Sequence, residues 1–149
     1  MRKVMFFLRA AAVFIACLTL VVGCSTTAFK PIPSGYVAKD EHFDKDGFQD
    51  YTDYCKYYYS SPEPFAGDKR YHAITASEIA EVAGYFENFH NWMEIEDRLD
   101  EYDFSPDRIN AGDYVLIETK EELHSIYDNY NVYFFDIESL TLYYIHNNI

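Results

Sequence analysis

The sequence predicts an α+β fold in which one long amphipathic helix packs on an antiparallel sheet of about four strands. Three observations support this prediction. Apolar residues follow a helical spacing after Thr75, β-prone aromatic residues fill a run that ends at Tyr59, and two further β-prone runs near the carboxyl end flank a short polar connection. Because one helix covers only one face of such a sheet, the expected architecture has two layers.

The strands are predicted from residue type and from the turn signals between them. Residues 53–59 are rich in Tyr and end at the Ser- and Pro-rich breaker 60–64. Residues 114–117 (Tyr-Val-Leu-Ile) predict a second strand, and residues 130–135 and 140–145 predict a C-terminal hairpin. This order resembles cystatin-like or nuclear-transport-factor-like rolls, an analogy that concerns the fold and implies no function.

The helix is predicted from residue 76 to about residue 99. Thr75-Ala76-Ser77-Glu78 matches a capping box, in which the hydroxyl and the carboxylate satisfy N–H groups that the first helical turn leaves open. Behind it, one face carries a continuous apolar stripe, formed by Ile79, Val82, Ala83, Phe86, Phe89 and Met93.

The charge of the chain is strongly negative, with 25 acidic residues against 12 basic ones and a net charge of −13. Arg2, Lys3 and Arg9 precede Cys24, and no acidic residue does, so the part that follows is more acidic still. Such a field repels phosphate backbones, which argues against nucleic acid as a partner. The 15 Tyr and 12 Phe residues nevertheless supply enough apolar area to build a folded core.

The amino-terminal segment has the pattern of a secretory signal peptide. Basic residues precede an apolar stretch from Ala10 to Val22, which is short for a membrane span, although an uncleaved anchor remains an alternative. Val21-Val22-Gly23-Cys24 then matches the lipobox of bacterial lipoproteins. This resemblance implies cleavage between Gly23 and Cys24, acyl chains such as palmitate attached through the Cys24 thiol, and a location on the outer face of the cell membrane.

These signals divide the chain into a signal peptide (1–23), a Pro-bearing tether (24–35) and a single α+β domain (36–149). The domain resembles the short, uncharacterised lipoproteins of Gram-positive bacteria. The resemblance rests on Tyr102-Asp103-Phe104, Gly112-Asp113-Tyr114 and the run Tyr-Tyr-Ile-His-Asn-Asn at 143–148. It implies a lipid-anchored, extracytoplasmic protein and attaches no activity to it.

An acidic stretch before the first strand has some features of a calcium loop. With Gly47 at the sixth position, where such loops turn, Asp44, Asp46 and Asp50 fall where oxygen ligands belong. His42 then occupies the first position, where a carboxylate is usual, so an ordinary solvated acidic turn is the favoured interpretation. No other cofactor is expected.

The predicted hairpin is apolar on both faces, whereas a sheet covered by one helix should show polar residues on its outer face. Tyr133 and Phe135 on one strand, with Tyr143 and Ile145 on the next, are therefore candidate binding residues. Coverage of the second face by the segment 36–60, within the domain, is nevertheless the favoured interpretation, because the Tyr-rich run 51–59 must also pack somewhere.

Three functions remain open from the sequence. The leading hypothesis is a non-enzymatic binding domain for an unknown protein or glycan partner, because no nucleophile, phosphate-loop or metal motif is visible. A surface hydrolase that uses carboxylates is the second, since such residues leave no short signature. A calcium-stabilised structural module is the third.

Overall fold

Six antiparallel strands form one sheet in the computed structural model, which describes residues 31–44, 51–119 and 127–148. Their order across the sheet is β1-β2-β6-β5-β4-β3, which places β6 and β5 at the centre. The strands are β1 (Ala38–Phe43), β2 (Tyr51–Tyr58), β3 (His72–Ala73), β4 (Tyr114–Thr119), β5 (Asn129–Asp136) and β6 (Thr141–Asn148). The helices are α1 (Glu63–Ala66) and α2 (Ile79–Ile95), and single 3-10 turns lie at Leu99–Glu101 and Pro106–Arg108.

The predicted α+β class and the C-terminal antiparallel meander β4-β5-β6 are confirmed. The expectation of about four strands was wrong, because β1 and β3 add one strand at each edge. Neither had a readable signal. The residues of β1, Ala-Lys-Asp-Glu-His-Phe, lack the alternation of a half-buried strand, and β3 is two residues long.

Helix α2 is shorter at both ends than the predicted 76–99. The Glu78 carboxylate does accept the Thr75 N–H (2.8 Å), as a capping box requires, but residues 76–78 form a turn before the helix begins. At the other end Asp97 adopts a left-handed conformation (φ 57°), and the Arg98 N–H donates to the Met93 carbonyl (2.8 Å). This Schellman arrangement ends the helix with Asp in the place that Gly usually takes.

The face of the sheet under α2 forms the larger core, called here the helix-side core. Val82, Phe86, Phe89 and Met93 project from α2 and are almost fully buried, as the apolar stripe predicted. They pack on alternate residues of the sheet, since successive strand side chains point to opposite faces. The sheet residues of this core are Tyr54, Val115, Tyr130, Val132, Phe134, Tyr143 and Ile145.

The opposite face forms a second core, called here the α1-side core. The segment 36–60 was expected to cover this face, but its strands β1 and β2 extend the sheet instead. The residues after it supply cover: Phe65 of α1 stacks on Phe135 at a ring-centroid distance of 3.8 Å. The members of this core are Cys55, Tyr57, Tyr59, Phe65, Tyr71, Tyr133, Phe135, Leu142 and Tyr144.

The end of the predicted tether contacts the folded domain. Ile32 packs against the α1-side core, and the Tyr59 hydroxyl donates to the Pro33 carbonyl (2.7 Å). The compact unit accordingly begins at Ile32. Within the residues that the structure describes, no helix has the length and apolar composition needed to cross a membrane.

Candidate functional site

The residues of the predicted lipid and calcium sites lie mostly outside the described part of the chain. Gly23, Cys24, Asp46 and Asp50 all fall there. Asp44 is described, and its N–H donates to the Asp53 carboxylate (3.3 Å). Among the described residues, no group of three or more His, Cys, Asp or Glu side chains is arranged to hold a metal ion.

The four predicted binding residues of the hairpin do not share a face. Tyr143 and Ile145 stand opposite Phe134 and Val132 in the β5–β6 register and belong to the helix-side core. Tyr133 and Phe135 belong to the α1-side core. The exposed fractions are 6% for Tyr143, 0% for Ile145, 2% for Tyr133 and 0% for Phe135. Both faces of the hairpin are therefore interior. A recognition surface has to be sought at the edges of the sheet and beside α2.

At one edge, acidic and basic side chains from β1, β2 and the segment after α2 form a connected network, called here the β1-edge cluster. Lys56 lies between the carboxylates of Asp103 (2.9 Å) and Asp40 (3.2 Å). The buried Tyr54 hydroxyl also donates to Asp103 (2.6 Å). The name covers Asp40, His42, Tyr54, Lys56, Arg98, Glu101 and Asp103.

The protonation states in this cluster are those of stable ion pairs. Burial alone would raise the pKa of Asp103, but hydrogen bonds from Tyr54 and Lys56 hold that pKa below its usual value. Asp40 is similar, since Lys56 and His42 lower its pKa against the effect of burial. Burial would lower the pKa of Lys56, yet its two carboxylate partners raise it. A general acid needs a pKa raised towards neutral, so these two carboxylates fit a structural role better than a catalytic one.

The other edge is built differently. Strand β3 pairs with β4 only at Tyr114 and Val115, so the rest of β4 has no strand partner on its outer side within the described chain. A groove of about 400 Å³ lies along this uncovered part. Its walls are apolar towards the sheet and α2 and charged at the rim; they comprise Arg70, His72, Glu78, Glu81, Val82, Tyr85, Val115, Leu116, Ile117 and Thr119.

A second cleft, of about 410 Å³, runs between α2 and the segment 102–106. Phe86, Tyr102 and Phe104 form its floor, with Glu87 and His90 at its rim. Phe86 and Phe104 stack on each other (4.0 Å between centroids), and Tyr102 packs against Tyr54, so these rings serve the core. Little aromatic face remains to stack on a sugar.

Comparisons of this chain with protein-family models, with curated proteins and with solved structures found no match. The candidate site therefore rests on geometry, and the groove beside β4 is the stronger of the two clefts. Sequence reasoning missed it because an open strand edge depends on which strands pair. The one local signal for the groove was the turn at Ala66-Gly67-Asp68, because a strand that pairs with β4 can begin only after this turn.

Proposed function

We propose that this chain is a bacterial lipoprotein, anchored to the outer face of the cell membrane through lipid on Cys24, and that its domain is a non-enzymatic binding module for a protein partner. The lipobox Val21-Val22-Gly23-Cys24 supports the anchor. Two acyl chains would be enough for stable attachment. The strong negative charge of the domain favours a position in solvent over contact with anionic lipid.

The single observation that carries the binding role is the groove beside the uncovered part of β4. It combines apolar walls with main-chain edge groups and a charged rim, which are the elements of a protein-recognition site. A glycan partner has less support, because the aromatic rings of the second cleft are committed to the core.

The two alternatives have weaker support. A hydrolase would need an accessible carboxyl group poised near neutral pH, whereas the pKa values of Asp40 and Asp103 are lowered by their hydrogen-bond and cationic partners. The pKa of Asp113 is raised, but this side chain is buried and accepts two backbone N–H groups. The calcium module would need Asp46 and Asp50, which lie outside the described residues. A cystatin-like roll remains our proposal for the finer fold, on the basis of one helix laid across an antiparallel sheet.

The anchor is tested by feeding an alkyne-tagged palmitate analogue to bacteria that express the full chain. Wild type and the matched control Cys17→Ala should both be labelled and processed, because Cys17 lies within the apolar stretch and outside the lipobox. Cys24→Ala should lose the label and accumulate as unprocessed precursor. Label that persists on Cys24→Ala, detected by in-gel fluorescence, would refute the site.

A further inference from the structure

The chain leaves the edge of β4 at a defined point. In the β3–β4 register His72 stands opposite Val115, so a longer β3 would place residue 70 opposite Ile117. The chain turns away instead, because the Tyr71 N–H donates to the Asp68 carbonyl (3.1 Å) and the Arg70 N–H donates to the Asp68 carboxylate (3.0 Å). Within the described residues, no strand therefore continues the line of β3 beside the rest of β4.

The direction of the β4 main-chain groups follows from the ladder. The Ile74 N–H donates to the Asp113 carbonyl (2.7 Å), so Asp113 directs its carbonyl towards β3. Residues of an antiparallel strand alternate in the side to which they bond, so Val115, Ile117 and Thr119 also direct their N–H and C=O groups outward. The main-chain groups of Ile117 and Thr119 lie beyond the two residues of β4 that pair with β3. They meet no strand among the described residues.

We propose that a partner protein adds an extended segment to β4 as an antiparallel strand, in line with β3, and that this segment alternates apolar and basic residues. The proposal deepens the binding role proposed above and rests on it. Main-chain hydrogen bonds to Ile117 and Thr119 provide the general affinity, and alternate side chains provide the specificity.

The alternation of apolar and basic side chains in the partner segment follows from the two faces to which the side chains of β4 point. Ile117 faces the helix-side core, where Val82 and Tyr85 line the groove, so a residue opposite Ile117 meets an apolar wall. Leu116 belongs to the α1-side core, and Glu118 follows it on that face. A residue opposite Glu118 therefore meets a carboxylate, which a lysine complements as a cross-strand pair.

The charge of the surroundings selects a basic partner over an acidic one. Glu78 and Glu81 stand on the rim, and Arg70 is paired with Asp68. The whole chain carries a net charge of −13, which accelerates the approach of a cation and repels a second copy of the same chain. These charges favour a basic partner segment over pairing of β4 with β4 of another molecule.

The test uses the full chain in non-ionic detergent and the blocked hexapeptide Val-Lys-Val-Lys-Val-Lys as the probe, measured by isothermal titration calorimetry. Two of the three valines should lie opposite Ile117 and Thr119, so that their N–H groups bond to β4 while the lysine N–H groups point away. N-methylation of the valines should weaken binding about tenfold or more, whereas N-methylation of the lysines should change it less than about twofold.

Protein variants test the charge term. Glu118→Gln should weaken the parent peptide about threefold, and the matched change Glu87→Gln, on α2 beside the other cleft, should leave its binding unchanged. A peptide with Glu in place of Lys should bind at least about tenfold more weakly than the parent.

Three results would overturn the proposal: no binding of the parent peptide at millimolar concentration, equal weakening by both patterns of N-methylation, or a protein dimer in sedimentation that the parent peptide dissociates. The third would assign the edge to a second copy. Failure here leaves the palmitate labelling of Cys24 unaffected, so it is distinguishable from failure of the anchor.

Discussion

The two edges of the sheet are protected by different means. Strand β1 presents a six-residue edge in which three side chains are charged, and several of these are held by partners, such as Glu41 by Lys39 and by the Tyr57 hydroxyl (2.7 Å). Charges along an edge discourage pairing with another strand. Strand β4 is covered by β3 for two residues only, and its uncovered residues Leu116 and Ile117 line a groove. Among the described residues, β1 is therefore an edge protected by charge, and most of β4 is an edge without a strand partner.

The two edges are also joined to the domain differently. The β1-edge cluster connects β1 and β2 to the segment after α2 through Lys56, Tyr54 and Asp103. Strand β3 is held at its end by Asp113, whose carboxylate accepts the N–H groups of Asn110 (2.8 Å) and Ile137 (3.1 Å). Charged pairs therefore stabilise the first edge, and a buried carboxylate that caps two turns stabilises the second.

The largest expected effect comes from Phe65→Ala, since Phe65 is 1% exposed and lies in the connection from β2 to β3. Loss of this ring should lower the free energy of unfolding by about 3–5 kcal/mol. The control Ile95→Ala, at a residue 70% exposed on α2, should change it by less than about 0.5 kcal/mol. Urea unfolding measures both values.

The same variant can sharpen the contrast between the edges. Because Phe65 anchors the connection that leads to β3, backbone hydrogen exchange in Phe65→Ala, measured by mass spectrometry, should accelerate more in β3 than in β1. Equal acceleration in both strands would contradict this and make the two edges parts of one cooperative unit.

Tyr54→Phe should have an intermediate effect at the other edge. The Tyr54 side chain is fully buried, and burial together with its hydrogen bond to Asp103 raises its pKa far above the usual range, so the hydroxyl stays a donor. Removal of a hydrogen bond to a charged group costs about 2 kcal/mol. Tyr36→Phe, at an exposed residue next to β1, serves as the control. Indistinguishable urea midpoints for the two variants would show that the β1-edge cluster contributes nothing to stability.

The smallest expected effect concerns how the free energy of unfolding depends on pH. Asp103 at one edge and Asp113 at the other should contribute to this dependence with opposite signs. The folded-state pKa of Asp103 is lowered, so the stability it contributes is lost as pH falls through that pKa. Burial raises the pKa of Asp113 in spite of its two N–H donors, so its contribution is fully present below the unfolded-state pKa and is lost as pH rises.

Unfolding free energies at about pH 7 and pH 3 test these signs, because the window brackets the usual Asp pKa. Relative to wild type, Asp103→Asn should lose less stability on acidification, and Asp113→Asn should lose more. Each variant removes one negative charge, so the two are matched. A change in the same direction for both would contradict the assignment.

The sequence predicted the parts of the fold that depend on local pattern. The stripe from Val82 to Met93 faces the core as expected, β5 contains the predicted run 130–135, and β6 begins at Thr141, one residue inside the predicted run 140–145. The helix ended earlier than predicted because Asp97 takes a left-handed conformation. Asp adopts this conformation less often than Gly or Asn, so no residue pattern in the sequence indicated the helix end.

The candidate site depended on information that the local pattern does not hold. Tyr133 and Tyr143 were grouped as binding residues, yet the register places them in opposite cores. Register is set by the pairing of distant strands, and a shift of one residue reverses every face. The groove beside β4 is likewise a product of pairing, since it exists because β3 begins only at His72.

The position of β6 between β2 and β5 has a consequence for the order of events in folding. Tyr51 pairs with Asn148 and Tyr58 with Thr141, so β1 and β2 join the rest of the sheet through β6, which follows the other described strands in the chain. A two-stranded hairpin such as β1–β2 is marginal by itself, and pairing between distant strands is slow. Until β6 has been synthesised, Tyr54 and Tyr57 lack the neighbour that they have in the sheet. The native pairing of β1 and β2 with the rest of the sheet therefore has to wait for the synthesis of β6.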